Sequence, residues 1–382
     1  MDTFDAVIVG GGPAGSTCAR QLTRAGMKVA VVDRATFPRD KVCAGWITPA
    51  VVDLLDLDVD DYGQTRVFQP ITGFHVGVMH RAGVDARYNE AVSFGIRRFE
   101  FDHYLLERSG ATLLCGRPIS SLRRRGAEWL INDAIATPML VGAGGHFCPV
   151  ARELNPGTPA RPVVAAVEME AELTSAQLAR CRVPGDTPLL DFCDDFAGYG
   201  WCFRKGHFVN VGIGRVNARH LPRHAQSFLD RLIDDRVLPA DVTTRLKGHA
   251  YLLSTRGWRI NAANGVLLAG DAAGLADVHS GEGIRPAIES GLMAAAAIVE
   301  ANGNFDHDRL TKYEQALMNR FAPAAASEKV AALMPRRVAR GLARQLMNSS
   351  FFVRRVVLDR WFLGRDRPPL RPPLSGVLYE SC

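Results

Sequence analysis

The sequence predicts an α/β fold: a parallel sheet that the chain visits three times, an antiparallel β-sheet inserted between visits, and helices at the C-terminal end. Three observations predict it. The first 33 residues read as strand, glycine loop, helix and strand, the βαβ unit that opens a parallel sheet. Short buried-type strands return at Ala111–Cys115, Met139–Gly144 and Val266–Gly270. Between them, Pro162–Gly214 carries the pattern of antiparallel strands, VVAAVEMEAEL, GWCFRKG and HFVNVGIG.

In order along the chain, Asp5–Gly10 (DAVIVG) is an apolar β-branched run, Pro13–Ala25 reads as a helix, and Lys28–Asp33 (KVAVVD) is a second buried strand. Val51–Arg97 is mixed and turn-rich, an excursion into a second domain. WCFRKGHFVNV reads as a hairpin turning at Lys205–Gly206. Gly281–Ala301 is a long Ala-rich helix, Asp306–Trp361 is mostly helical, and RDRPPLRPPL is an extended tail. The resulting division assigns 1–56, 98–160 and 250–303 to a Rossmann-like nucleotide-binding domain. It assigns 57–97 and 161–249 to a β-rich substrate-binding domain, and 304–382 to a C-terminal helical region with a Pro-rich tail.

Composition narrows the function classes. A chain of 382 residues with 47% hydrophobic and 23% charged residues suits two interleaved globular domains. The net charge of +6 is compatible with nucleic acid, a membrane surface or an anionic ligand. No zinc finger, RNA-binding signature or aromatic-plus-basic array supports nucleic acid. The eight cysteines show no CxxC spacing, and Met1 is followed almost at once by a strand. Reduced thiols in the cytoplasm are the expectation. No apolar run of about 20 residues offers a membrane span. His146 and Cys148 resemble half a metal site, but no second pair lies at suitable spacing, so no metal is expected.

The chemistry begins at Gly10, Gly12 and Gly15, which form G-x-G-x-x-G between strand and helix, with Asp33 ending the next strand. Gly10 permits the tight turn, Gly12 lets backbone approach a pyrophosphate, and Gly15 lets the helix pack on the strand. The helix N-terminus offers unpaired N–H groups to phosphates, and Asp33 can accept hydrogen bonds from a ribose diol. A bare glycine-rich turn would not bring strand, helix, second strand and acid into this order. The motif alone does not separate FAD from NAD.

The stretch Gly265–Gly291 points to flavin. A strand delivers Gly270–Asp271, where an acid can bond a ribityl chain, and Gly281-Glu282-Gly283-Ile284 opens the long helix. Such a helix start can direct backbone N–H groups and positive potential at the flavin's N1 and O2.

Further motifs carry a resemblance. Phe37-Pro38-Arg39-Asp40-Lys41-Val42-Cys43-Ala44-Gly45, Arg98 before Phe101-Asp102, Gly270-Asp271-Ala272-Ala273-Gly274, Gly281–Ile284 and the hairpin GYGWCFRKGHFVNVGIGR all bear on it. With these the sequence resembles flavoproteins of the para-hydroxybenzoate hydroxylase superfamily, and within it the geranylgeranyl reductase family. The resemblance spans about residues 5–295. It implies that Ala14, Asp33, Gly45, Arg98, Asp271, Gly283 and Ile284 contact FAD, with Arg98 a cation near the ribityl or pyrophosphate. Gly10, Gly12, Pro13, Gly15, Arg34, Ala44 and Gly281 complete the expected cofactor set, and Ile119, in the strand-like GRPISSL, is expected to contact adenine through its backbone. The chain departs from the family pattern at Val278, where the family has proline, and at Ala44, where it has glycine. It departs again at Arg204, and at Gly142–Cys148, where the hydroxylases' acid is missing. That last departure puts an NAD(P)H contact in doubt.

The resemblance implies reduction of carbon–carbon double bonds in an isoprenoid or other hydrophobic substrate, with NAD(P)H or another external electron donor reducing FAD. The alternative is a flavin monooxygenase that hydroxylates or epoxidises its substrate. A flavin halogenase needs W-x-W-x-I-P, and GYGWCFRK supplies one Trp and no Ile-Pro. A non-catalytic electron-transfer flavoprotein is the remaining reading. Cys43 reads as a catalytic group or as a small packed residue, and His279 as a proton donor or a locally bonded loop residue. Tyr199 and Trp201 read as substrate-lining or as β-domain core. No second G-x-G-x-x-G is present, so the donor binds transiently or is a partner protein. The segment PRRVARGLARQLMNSSFFVRRVVLDRWFLGRD interleaves arginines with apolar residues, as a peripheral membrane contact or a solvated amphipathic helix would.

Overall fold

The computed structural model describes residues 1–157, 163–216, 219–242, 245–254, 259–321 and 336–370. The Pro-rich tail beyond Leu370 lies outside the described residues.

The opening βαβ unit forms as its sequence demands. Ala6–Val9, four consecutive buried apolar residues, lies at the centre of a six-stranded sheet. It pairs in parallel with Val29–Asp33 on one side and Met139–Gly142 on the other. Thr112–Cys115 extends the sheet beyond Val29–Asp33, and Val266–Leu268 extends it beyond Met139–Gly142. Strands buried on both faces read as continuous hydrophobic runs, which is why all of these but the half-exposed edge strand Thr112–Cys115 were visible as buried runs. The helix Pro13–Arg24, with proline in its first turn, lies against the long helix Ile284–Ala301. Their approach is set by glycine: a Cβ on Gly291 would stand 2.4 Å from the carbonyl oxygen of Ala14. A Cβ on Gly15 would stand 1.9 Å from the carbonyl oxygen of Gly10, fixing helix against strand. The long helix starts at Ile284, three residues later than the sequence reading, because Gly281 takes a φ of +69° that no helix accommodates.

The second sheet has seven strands in the order Lys247–Leu252, Val163–Glu172, Phe208–Arg215, Gly198–Lys205, Leu189–Phe192, Gly73–Val78, Val84–Arg87. The expected hairpin is there, but Lys205 pairs with Phe208, so the turn is Gly206–His207, one residue beyond the expected position. A three-stranded sheet of Trp46–Ile47, Ser93–Ile96 and Phe68–Ile71 sits between the two large sheets in the chain order. A fourth sheet, Asp2–Thr3, Ile135–Thr137, Glu128–Ile131 and Leu122–Arg125, had no sequence signal. Leu122–Arg125 carries three exposed arginines and no apolar alternation. Ile119 lies in the loop before it, half-buried against the six-stranded core, and not in a strand.

The C-terminal region includes helices His307–Phe321 and Arg336–Leu346 and a short turn Ser350–Phe352 that runs into a π-helical stretch, Val353–Phe362. Val353, Val357, Leu358 and Phe362 are buried with Trp46, Phe74, Phe192, Trp201 and Phe203, so this stretch belongs to the core of the inserted sheet. Among the described residues no helix is long and apolar enough to cross a membrane.

Replacing Gly291 with valine should lower stability by about 1–3 kcal/mol, the cost of overpacking a close helix contact. Urea unfolding monitors this, and an unchanged midpoint would refute the close approach of the two helices.

Candidate cofactor and active site

The carboxyl ends of Ala6–Val9 and Val29–Asp33 open into a cleft of about 510 Å³ that runs between the parallel sheet and the inserted one. Binding sites of parallel α/β sheets lie at this end of the strands. The cleft changes character along its length.

At the first end, Asp33 ties the glycine loop to the second strand: its carboxylate accepts hydrogen bonds from the Gly11 N–H and the Ala35 N–H, both at 2.8 Å. The helix that follows has no side-chain cap at Gly12, so its first-turn amides are open toward the cleft. Beside them, Arg98 forks onto Asp102 at 2.6 and 2.8 Å, and Arg39 reaches the same carboxylate at 3.1 Å. Asp102 is fully buried. Burial alone would discharge Arg98, but Asp102 outweighs it and raises the guanidinium above its ordinary value. Two cations share one anion, and the surplus positive charge faces the glycine loop.

Midway, Asp271 follows the strand Val266–Leu268, and His249 comes from the edge strand Lys247–Leu252 of the inserted sheet. Lys41 Nζ is 2.6 Å from His249 Nε2, which is 4.0 Å from Asp271. Burial pushes Lys41 down to about 8 and lowers His249 as well. Burial works against the charge of Asp271, but His249 and Lys41 hold its carboxyl below the usual range.

The far end is built by a buried polar network. Lys205, 1% exposed, donates from Nζ to the carbonyl oxygens of Ala44 (3.1 Å) and Ile96 (3.0 Å) and to Glu170 (2.7 Å). Asn210 Nδ2 donates to the Cys43 carbonyl oxygen and to Glu168, both at 3.2 Å, and its Oδ1 accepts from Trp201 Nε1 at 2.7 Å. Glu168 accepts the Cys43 N–H, and burial nevertheless pushes its carboxyl up to about 7. Burial opposes the Glu170 charge too, yet Lys205 and Arg97 hold it low. Gly45 must be glycine, because at φ +68° its Cβ would meet the Ile96 carbonyl oxygen at 2.3 Å. Opposite this segment stand Gly281–Gly283 at the start of the long helix, with Tyr199, whose hydroxyl donates to the Ser280 carbonyl oxygen, and Tyr251.

The cleft therefore gathers Gly10, Gly12, Pro13, Ala14, Asp33, Arg34, Cys43, Ala44, Gly45, Arg98, Tyr199, Trp201, Asp271, Gly281, Gly283 and Ile284. Three residues singled out in the sequence lie elsewhere. Gly15 packs beneath the loop, and Ile119 is half-buried against the core and does not line the cleft. His279 faces away and stacks on Trp361, centroids 5.3 Å apart. Conversely, Arg39, Lys41, His146, His249 and Tyr251 line the cleft without having been singled out for it. Arg39 and Lys41 sit inside a motif read for its cysteine and glycine, and His146 inside the segment read for its missing acid; His249 and Tyr251 come from a strand with no local signature. Among the described residues no cluster of three metal-ligating side chains occurs.

The residues fit FAD. Surplus positive charge stands at the glycine loop, a half-buried carboxylate midway, and glycines with aromatic side chains at the far end. Two buried polar atoms in the cleft wall, His146 Nδ1 and Glu282 Oε1, have no hydrogen-bond partner, as groups that meet a ligand would.

Comparisons with known proteins agree. The family model described as FAD-dependent oxidoreductase matches residues 5–90. The geranylgeranyl diphosphate reductase of Rhodobacter capsulatus is 31% identical over 314 residues, covering 77% of this chain and 74% of that protein. The menaquinone reductase of Mycobacterium tuberculosis is 29% identical over 316 residues, covering 77% and 76%. Among solved structures, a geranylgeranyl bacteriochlorophyll reductase-like protein from Thermoplasma acidophilum matches with a TM-score of 0.75 at 21% identity, covering 96% of this chain and 98% of that one. This last likeness is one of fold.

The network predicts a pH dependence of the FAD-free protein. Glu168 has a folded pKa raised from 4.5 to about 7, so its stabilising contribution is complete below pH 4.5 and is lost as pH rises through 7. Between pH 5 and 7.5 the urea midpoint of the wild type should fall more than that of Glu168→Gln. Parallel curves would refute the assignment.

Proposed function

Because this chain belongs to the geranylgeranyl reductase family of FAD-dependent oxidoreductases, we propose that it reduces carbon–carbon double bonds in a polyprenyl chain or another hydrophobic molecule. The observation that carries the reading is the continuity of one cleft, polar and cationic where a dinucleotide would lie and aromatic where its ring would end. We assign the pyrophosphate to the amides after Gly12 with Arg39 and Arg98, the adenosine ribose to Asp33, and the ribityl chain to Asp271. The ring then falls between Cys43–Gly45 and Gly281–Gly283.

FAD bound there and reduced by the external donor would supply the hydride that the substrate takes up. The residues of the chain do the rest. Trp46, Tyr199, Trp201, Phe203 and Tyr251 wall the ring end of the cleft, excluding water and receiving hydrocarbon. The start of helix Ile284–Ala301 places positive potential against the ring's pyrimidine edge. Cys43 delivers the proton that completes the reduced bond. Its N–H is held by Glu168 and its carbonyl oxygen by Asn210, and its sulfur accepts the Gly45 N–H at 3.4 Å. His279, stacked on Trp361, is not assigned a catalytic part. Electrons come from an external donor, NAD(P)H or a donor protein, since the sequence holds a single G-x-G-x-x-G.

The protein is placed in the cytoplasm, in peripheral contact with a membrane that holds its substrate. Val338 and Leu342, 57% and 46% exposed, lie one turn apart on helix Arg336–Leu346, and Phe351 is 74% exposed just beyond it. Arg340 and Arg344 lie on the opposite face of the same helix, Arg344 paired with Asp194, so an apolar face is backed by a basic one, as in a helix that lies on anionic lipid.

Two measurements test this. Anaerobic protein, loaded with FAD and reduced by dithionite, should add two hydrogens per turnover to geranylgeranyl diphosphate or menaquinone, and Cys43→Ser should slow turnover at least tenfold. A product that forms only when oxygen is admitted would establish a monooxygenase instead. Separately, Val338→Glu with Leu342→Glu should cut co-sedimentation with phosphatidylserine-containing vesicles several-fold; unchanged binding would overturn the membrane contact.

A further inference from the structure

The chain that follows the helix Arg336–Leu346 returns to the site as a strap, Val353–Leu370, which touches the loop Asp277–Gly283 directly at two points and reaches it at a third through Tyr199. Trp361 stacks on His279 with rings 11° from parallel. Phe362 packs edge-on against Tyr199 at 5.2 Å, and the Tyr199 hydroxyl donates to the Ser280 carbonyl oxygen. The Arg367 guanidinium pairs with Oδ2 of the buried Asp277.

Asp277 is the organiser of the loop. Its Oδ1 accepts from the N–H of His279 (2.9 Å), the N–H of Ser280 (3.0 Å) and the Ser280 hydroxyl (3.1 Å). Its carbonyl oxygen accepts from the Gly281 N–H, and its own N–H donates to the Glu282 carbonyl oxygen, each at 2.9 Å. Every turn of the loop thus closes on one residue, and that residue's remaining oxygen is held by the strap. The strap's backbone is anchored in turn: Arg285 donates to the Gly364 carbonyl oxygen and Arg320 to that of Pro368, while both arginines pair with the buried Glu289.

We propose that the strap is a positioning element of the cofactor site, and that Arg367 is the positioning residue that fixes, through Asp277, where Gly281–Gly283 meet the flavin ring. Release of Asp277 lets the loop and the helix start shift relative to the ring. A shift of that electrostatic element changes oxidised and reduced flavin unequally, because the charge on the ring differs between them. The proposal rests on FAD lying against Gly281–Gly283.

The test compares FAD-loaded wild type with Arg367→Met, Arg367→Lys and Asp366→Asn. Asp366 belongs to an exposed pair with Arg360 on the same strap. Arg367→Met should release FAD at least tenfold faster and move the flavin midpoint potential by up to about 30 mV, a tenfold change in the preference for one redox state of a two-electron couple. Arg367→Lys should recover most of both effects, and Asp366→Asn should match wild type throughout. If Arg367→Met does not fold, Asp277→Asn gives the same readout, since it keeps the loop's acceptor and drops the charge that holds the strap. Folded Arg367→Met with wild-type release and potential would overturn the proposal. Wild type that takes up no FAD would overturn the cofactor site itself.

Discussion

The buried ammonium of Lys205 is the point at which the parts of this protein are joined. It sits on the hairpin of the seven-stranded sheet, but its hydrogen bonds go to the Ala44 carbonyl oxygen on the cofactor side, to the Ile96 carbonyl oxygen in the three-stranded sheet, and to Glu170 two strands away in its own sheet. A lysine with 1% exposure is tolerable only when each proton has a partner. Three partners from three parts of the chain satisfy that demand in one geometry. Removing one member of such a buried pair costs about 3–5 kcal/mol. Two backbone carbonyls would also be left unpaired at the mouth of the cofactor site, so the network fixes the site and the domain arrangement together.

This dependence explains how much could be read from the sequence. The glycine loop was legible because its chemistry is local: strand, turn and helix follow one another, and each glycine has a steric reason to be there. Asp271 and Gly281–Ile284 were legible for the same reason, as a strand end and a helix start. Lys205, Asn210 and Glu168 were not, because their meaning depends on which strand lies next to which, and alternation in a strand gives no partner. His249 is the sharpest case. It comes from an edge strand whose sequence, KGHAYL, carries no signature, yet it stands beside Lys41, more than two hundred positions away. His279 shows the converse: sequence proximity to a glycine loop says nothing about the side of the loop a side chain takes, and here the ring stacks on Trp361.

Charge follows a similar logic. The chain carries an excess of basic residues, with a net charge of +6. Part of it is spent inside, where Arg39 and Arg98 converge on Asp102 and Arg285 and Arg320 converge on Glu289. In each case two cations share one carboxylate. The first surplus faces the cleft and the second holds the backbone of the C-terminal segment, so one pairing scheme serves a ligand and a fold.

The strand Gly198–Lys205 has a further implication. Its odd positions Tyr199, Trp201, Phe203 and Lys205 make contacts that run from the Ser280 carbonyl, through Asn210 and the Trp46 ring, to the Ala44 carbonyl. At about 3.3 Å per residue these four span roughly 20 Å. The strand is a graded ruler laid along the cavity, aromatic at one end and cationic at the other. One end of the ruler therefore holds the loop Asp277–Gly283 through Ser280 and the other holds Ala44, so the wall of the pocket and the two segments that face each other across it share a single strand.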